Sequence, residues 1–584
     1  MTVESLITQH IDTWTSAVKT KSTTGRGSSK KLELYGVKKL RELILELAVR
    51  GKLVPQDPSD EPASELLQRN FDEQDRLIKS ESLKTKANRN LSTDDEYLIV
   101  PISWERIRLG NLAKFIDYRG KTPKKIESGI RLITAKNVKF GHISLFPEEF
   151  ISEDEYKTWM TRGFPRIGDI LFTPEAPLGN VAQVNLYEKF ALAQRAICFQ
   201  FHIPQVSNFL KLFLMTPSFQ SLLLEKATGT TAKGIKASVL KELLIYIPPL
   251  AEQHRIVAKV DELMALCDQL EQQTEASIKA HQLLVSTLLN TLTNSANADE
   301  LMENWARISD HFDTLFITEE SIDQLKQTIL QLAVMGKLVP QDTNDEPASV
   351  LLERIAEEKA QLIKEKKIKK QKALPPIADD EKPFDLPNGW EWCRLSEVID
   401  PERDISYGII KLEAEPELGG VPTLRCSDVK PGYIDMSGVR NVVENIEEQY
   451  KRTRLQGGEV LLNIRGTLGG VALVPDSLNG YNIAREVAML AVSNAISGEY
   501  LRDLILSPFF WLMIESNLKG IAYKGLNLNL LREFAIPLPP RRQQNSIVNV
   551  TSSMTSVCDQ LKARLKESQT TQLRLTDAIV EQAV

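Results

Sequence analysis

The chain has 584 residues, 42% hydrophobic and 26% charged, a balance that excludes an intrinsically disordered protein and leaves room for three to five folded units. Lys and Arg number 72 against 78 Asp and Glu, so the net charge is −6 and the pI about 5.8, without the overall basic excess of a typical nucleic-acid binder. No apolar run reaches the roughly 18 residues of a membrane span, and MTVESLITQHIDTW lacks a basic-then-apolar leader, so a cytoplasmic protein is expected.

Taken in order, residues 3 to 19 read as a short amphipathic helix and 20 to 31 (TKSTTGRGSSKK) as a Ser/Gly/Lys linker. Helices are predicted at about 33–50 and 62–80, separated by a Pro/Asp-rich loop. Gly51 suits the first helix's C-terminus and Pro62 the second's first turn. From VPISWERIRLGNL to about residue 250, short apolar runs (IRLIT, GDILFT, AICFQFHI) broken by Gly and Pro predict a globular α+β domain. At Pro248-Pro249 the pattern changes to a helix uninterrupted to about Leu292. Ile256, Val260, Leu263, Cys267, Leu270, Thr274, Ser277, His281, Leu284 and Leu288 alternate by four and three, as in a coiled-coil seam with a polar middle.

The cycle then repeats. ILELAVRGKLVPQDPSDEPASELL (44–67) returns as ILQLAVMGKLVPQDTNDEPASVLL (329–352), identical at 19 of 24 positions. This loop serves either packing or a partner contact made twice. A short helix near 300–316 precedes the second block, and a Lys-rich helix end and a Pro-rich linker follow it. Trp390-Glu391 answers Trp104-Glu105, and Gly458, Leu468-Gly469, Arg485 and Lys524-Gly525 answer Gly168, Leu178-Gly179, Arg195 and Lys233-Gly234. IPLPPRRQQNSIV opens a last helix, with the seam at Ile547, Thr551, Met554, Cys558, Leu561, Leu565, Ser568, Gln572, Leu575 and Ile579. Residues 1–295 and 296–584 are therefore two copies of one plan, with similar helices and divergent globular parts. Helices of about 42 residues are roughly 60 Å long. Each would expose its seam alone, so antiparallel packing of the two, with a globular head near each end, is expected.

On these motifs the sequence resembles the specificity subunit of Type I restriction-modification enzymes, in the subgroup with a long N-terminal extension. The resemblance rests on IPPLAEQHRIVAKVDELMALCDQLE, IPLPPRRQQNSIVNVTSSMTSVCDQLK and the two LAVxGKLVPQD blocks, and covers nearly the whole chain. It implies an α+β, pseudo-two-fold tandem duplication with two globular α/β target recognition domains separated by two long antiparallel coiled-coil helices. The implied layout is 1–100 N-terminal helical region with repeat block, 101–250 first target recognition domain, 251–385 central helical region, 386–540 second target recognition domain and 541–584 C-terminal spacer helix. It further implies that each domain reads half of a bipartite, asymmetric double-stranded DNA site. The helices would set the spacer and dock two modification (methyltransferase) subunits, to which two restriction (translocase-nuclease) subunits add. S-adenosylmethionine, ATP and Mg²⁺ would sit in those partners, and this chain would hold no catalytic residue, cofactor or metal.

The residues themselves agree. Cys198, Cys267, Cys393, Cys426 and Cys558 form no CxxC pair. Gly120-Lys121-Thr122 ends like a P-loop but has Phe115 where its first Gly belongs, and Gly229 and Gly234 are followed by Ile235 in place of Lys. Pro248-Pro249 and Pro539-Pro540 lack the preceding acid or Asn and following aromatic of an amino-methyltransferase. His142, His254 and His281 form no metal or triad grouping.

The candidate DNA-contacting residues follow from chemistry and position. Residues 114–139 carry eight Lys/Arg against two acids, and 145–157 five acids and one Lys; a local basic patch binds phosphate whatever the net charge. Arg119, Lys121, Lys124 and Lys125 lie in a Gly/Pro loop suited to guanine edges and phosphates, or to a solvated surface. The matching second loop offers Tyr407 and Lys411. Arg195 and Arg485 stand within apolar strands, as buried ion pairs or as base readers. Lys233 and Lys524, with Tyr523, follow small-residue loops suited to phosphate, and Thr173 and Arg465 complete the set. The competing reading is a non-catalytic coiled-coil adaptor whose heads recognise protein partners.

Overall fold

The duplicated blocks fold alike. In the computed structural model, which describes all residues except 1–2, 23–29, 81–88, 90, 92–95, 119–121, 194, 230–232, 371–373 and 519–524, the first block is helices Tyr35–Val49 and Ala63–Lys79. The second is Glu319–Val334 and Ala348–Lys364. The first helix of each pair stops at a glycine in the left-handed region, Gly51 at φ 67° and Gly336 at φ 69°. The next amide then turns back, Lys52 N to Leu47 O and Lys337 N to Leu332 O, both 2.9 Å, satisfying a carbonyl the helix end leaves open.

The chain divides into two compact units, Met1–Ser277 with Ser568–Val584, and Ile278–Glu567. In the first, the single helix predicted over 3–19 is two, Val3–Gln9 and Ile11–Ser16, and the predicted linker has its ends paired as antiparallel strands Lys19–Ser22 and Lys30–Glu33. The second short helix and the strand pair are closed by one contact. Gly36 N donates to Ala17 O at 2.9 Å, and the Gly36 backbone sits so close to the buried Trp14 that a Cβ would lie 2.3 Å from its carbonyl oxygen.

The globular part of the first unit holds an antiparallel sheet in the order Ala113–Asp117, Ile197–Phe201, Ile170–Phe172, Val181–Gln183. Beside it lies a mixed sheet of Phe190–Leu192, Ile130–Ile133, Phe150–Ile151 and Lys125–Ile126. The second unit repeats the antiparallel sheet in the same order with Ser406–Tyr407, Val487–Leu490, Val460–Asn463 and Val471–Leu473. Its accessory strands are rearranged into three-stranded and two-stranded pieces. Continuous apolar strands such as Ile197–Phe201 and Val460–Asn463 are buried on both faces, which explains their lack of alternation.

The long helices run Leu250–Asn294 and Arg541–Ala583. Their predicted seams hold only in part. Ile256, Val260, Leu263, Cys267 and Leu270 are buried, but Leu284 is 51% exposed and the buried positions are Val285, Leu289 and Leu292. The second helix does so in part: Leu575 is 48% exposed and Thr576 is buried, while the predicted Ile579 stays buried. An α-helix drifts by about 20° per heptad against a strict seven-residue repeat. After four heptads the lag approaches the roughly 100° between neighbouring residues, so the buried face passes to the next position. His281, expected as a polar seam residue, is half-buried with Nε2 3.3 Å from Thr314 O. Val285, Leu289 and Leu292 share one core with Ile322, Leu325, Ile329 and Cys558. Cys267 is likewise a packed helix-face residue, its thiol pushed up to about 11 by burial.

Each repeated block is a joint. In the first unit, Trp104 at the start of the globular part donates Nε1 to Glu252 Oε1 (3.0 Å) in the first turn of the long helix, and Gln56 of the block donates to the same oxygen (2.8 Å). In the second unit Trp390 Nε1 donates to Gln543 Oε1 (2.8 Å) and Gln341 Oε1 (3.0 Å). Lys52, four residues before Gln56, donates Nζ to Val584 O at 2.7 Å. Lys337 donates to Thr293 O and Ser295 O, both 2.9 Å. A cation at a helix C-terminus answers both its open carbonyls and its dipole. Within each unit, then, one block grips the start of one long helix and the end of the other. Of the two readings of the repeated loop, packing accounts for Gln56 and Gln341.

The joints differ at Glu252, whose place Gln543 takes in the second unit. Burial outweighs the donors Trp104 and Gln56 and the nearby Arg255, and pushes the Glu252 carboxyl above the usual glutamate range. Because its folded pKa exceeds the unfolded one, its contribution to stability is present in full below the unfolded pKa and is lost as pH rises through the folded pKa. Glu252→Gln, the side chain found at the matching Gln543, is expected to raise the melting temperature of the first unit at about pH 8 and to lose that advantage near pH 4. Melting curves of the two proteins across pH, read as a difference, check this; a difference independent of pH would contradict it.

Candidate nucleic-acid interface

The basic stretch 114–139 does not stand free. Lys125 Nζ is 2.7 Å from Glu149, Arg131 is 3.0 Å from Glu148 and 2.7 Å from Glu188, and Lys136 is 3.9 Å from Glu149. The acidic run 145–157 thus pairs with Lys125, Arg131 and Lys136 of its neighbour. Three of its acids, Glu153, Asp154 and Glu155, also form the first turn of helix Glu153–Trp159, capped by Ser152, where negative charge suits the dipole. Exposed Lys124, whose backbone N–H donates to Glu155 Oε1 at 3.3 Å, keeps its ammonium outside this network. Arg119 and Lys121 lie outside the described residues, as do Tyr523 and Lys524.

The remaining candidates sort by burial. Thr173 is fully buried: its Oγ1 accepts from Asn180 N at 2.9 Å, closing the turn after strand Ile170–Phe172. It cannot reach a ligand, and the expectation that it contacts DNA is corrected. Arg195 and Arg485, expected within apolar strands, stand instead in the turns before Ile197–Phe201 and Val487–Leu490, exposed in both domains. The apolar flanks belong to the strands on either side, which is why the sequence placed them inside. Arg195 Nε lies 3.1 Å from Glu175 Oε1, and Arg485 Nε 3.6 Å from Glu486. Lys233 is exposed next to the bridge between Glu175 and Gly234, and Lys411 is exposed, 3.8 Å from Glu413.

In the second unit two of the candidates, Tyr407 and Arg465, line a polar cleft of about 950 Å³ at the edge of the antiparallel sheet, which Lys411 and Arg485 do not line. Tyr407 comes from the edge strand, Arg465 from the turn after Val460–Asn463, Lys451 and Arg452 from the 3-10 segment Glu448–Thr453, and Asn527 from the cap of helix Leu528–Glu533. Some cations here are structural. Arg532 holds Asp404 at 3.0 Å and donates to Ile405 O at 2.7 Å, while Arg403 is 2.7 Å from the buried Glu459. Lys451 pairs with Glu448 at 2.7 Å. Arg452 and Arg465 are exposed on the cleft wall, and among the described residues no acid neutralises either. Two uncompensated guanidiniums beside a tyrosine and an asparagine suit an anionic ligand with planar, acceptor-rich edges.

A family model for the Type I restriction modification DNA specificity domain matches residues 101–280 and 387–568. The chain belongs to this family. The specificity subunits of two Escherichia coli enzymes, Type I restriction enzyme EcoEI and Type I restriction enzyme EcoAI, are 40% and 39% identical to it, each across 100% of both chains. A chain from a solved structure concerned with complex assembly and conformational transition of the type I R-M system covers 83% of this chain and 98% of its own length, at 18% identity and a TM-score of 0.46. As a specificity subunit the chain is the non-catalytic member of its class, with two target recognition domains on one repeated frame. No helix among the described residues is long and apolar enough to cross a membrane.

In this specificity subunit, sequence reading did not single out Lys451, Arg452 and Asn527, which line the same cleft. The run YKRTR (450–454) was the available signal; of its cations Arg454 is held by the buried Glu447 and Lys451 by Glu448, which leaves Arg452.

Proposed function

We propose that each target recognition domain reads one half of a bipartite, asymmetric duplex DNA site, that the long helices lie antiparallel as a coiled-coil ruler setting the spacer, and that their duplicated surfaces dock two modification subunits. Two restriction subunits join that complex, in the cytoplasm, and S-adenosylmethionine, ATP and Mg²⁺ belong to those partners. The domain limits follow the same plan: 1–100, 101–250, 251–385, 386–540 and 541–584. The observation that carries the reading is the constancy of the frame beside the change in its exposed charges. Both domains keep the strand order and the joint, yet a Glu–Arg pair in the first stands where the second presents two arginines. The contacts proposed from the first domain are Lys124, Lys125, Arg195 and Lys233, with Arg119 and Lys121. From the second they are Tyr407, Lys411, Arg465 and Arg485, with Tyr523 and Lys524.

Replacing residues 101–250 by the corresponding domain of a relative is expected to change one half-site and leave the other half and the spacer untouched. Methylation sequencing of DNA from cells expressing the whole system tests this. Loss of sequence selectivity in both halves, or no change in either, contradicts independent reading.

A further inference from the structure

We propose that Glu175 in the first target recognition domain and Arg465 in the second occupy one equivalent base-selecting position: Glu175 takes a base that presents an amine, and Arg465 takes guanine. This rests on the DNA-reading function proposed above and adds to it the residue and the base chemistry.

The two positions share a backbone. Each follows a buried strand of the antiparallel sheet, and each is bridged to the glycine before the domain's last short helix, Glu175 to Gly234 and Arg465 to Gly525. The flanking hydrogen bonds also match, Ile235 N to Pro174 O at 2.9 Å and Leu526 N to Ile464 O at 2.8 Å. The next residue is left-handed in both, Gly466 at φ 74° and Ala176 at φ 42°. Alanine rarely adopts that region, so the first domain holds this turn at some cost in backbone strain. The matched bridge thus carries an acid in one domain and a base in the other, side chains of opposite charge suited to different ligands.

The chemistry then separates the two. The Glu175 side chain is 43% exposed and held by Arg195 at 3.1 Å, itself a non-glycine residue at φ 59°. An ion pair this exposed adds little to folding. A carboxylate facing duplex DNA is repelled by phosphate, and the complementary feature in the groove is an exocyclic amine, cytosine N4 above all; guanine O6/N7 and thymine O4 offer only acceptors. Arg465, without an acid partner among the described residues and on the cleft wall, has the forked donors that match guanine O6 and N7.

The test uses the full chain co-expressed with its modification subunit, read by methylation sequencing. Glu175→Arg is expected to switch the preferred base at one position of one half-site to guanine, and Glu175→Gln to relax that position by on the order of ten- to a hundredfold. Arg465→Gln is expected to relax one position of the other half-site only. Unchanged base preference in Glu175→Gln and Arg465→Gln, or methylation lowered equally at all sequences, overturns the proposal. Should Glu175→Arg abolish methylation, Glu175→Gln decides. A wild-type complex that methylates without a bipartite site refutes the DNA-reading function itself, and so is distinguished from a failure at these two residues.

Discussion

Gly51→Ala is expected to destabilise the first unit by about 2–5 kcal/mol, seen as a fall of several degrees or more in its melting transition. Two costs add. At φ 67° an alanine is strained by roughly 1–2 kcal/mol, and its Cβ would lie 2.3 Å from Pro101 Cγ and 2.6 Å from Pro101 Cδ, with Trp104 Cζ2 at 3.3 Å. Neither a proline ring nor a tryptophan bonded to Glu252 moves aside cheaply, and overpacking of this kind costs about 1–3 kcal/mol. Gly336→Ala meets the same geometry in the second unit, with Pro387 Cγ at 2.4 Å and Trp390 Cζ2 at 3.1 Å. Gly168→Ala is the control: φ is 89°, but nothing lies within 4 Å of its Cβ, so only the strain remains. Calorimetry that resolves the unit's transition checks the order. If Gly51→Ala cost no more than Gly168→Ala, the close packing of globular domain on block would not be what the glycine serves.

Four residues inserted after Thr274 are expected to lengthen the DNA spacer by one or two base pairs while both half-sites stay the same. Four residues add about 6 Å of helix and slightly more than one turn, so the helix's faces are turned by only about 40°, and 6 Å is one to two base-pair steps of about 3.4 Å. The place is chosen from burial: Leu270 is the last fully packed position before the polar middle, and Ser277 is exposed. An insertion there interrupts little apolar packing. Methylation sequencing of the altered complex reads the spacer directly, and an unchanged spacer with intact half-sites would remove the ruler role from this helix.

Much of this protein was legible before any coordinates. The duplicated blocks, the helix pairs within them and the two long helices are local patterns, in which the residue that decides an element stands inside it or beside it. A glycine stops a helix, a proline opens one, and apolar spacing marks the buried face. The family resemblance came from those same helical motifs. What escaped the sequence was set by which side chains the folded chain brings together and by how burial tracks each helix. Thr173 is a buried turn lock because Asn180, seven residues on, meets it, and Lys125 and Arg131 are ion-paired because strand pairing brings residues 148 and 149 to them. The seam passes from Leu284 to Val285 because burial follows the 3.6-residue period, and the heptad is only its approximation. Residue order alone thus determined which helices exist and that the plan is doubled. Which charges remain free to meet DNA was decided only by tertiary structure, since a cation is available only when no acid, however distant in sequence, has already claimed it.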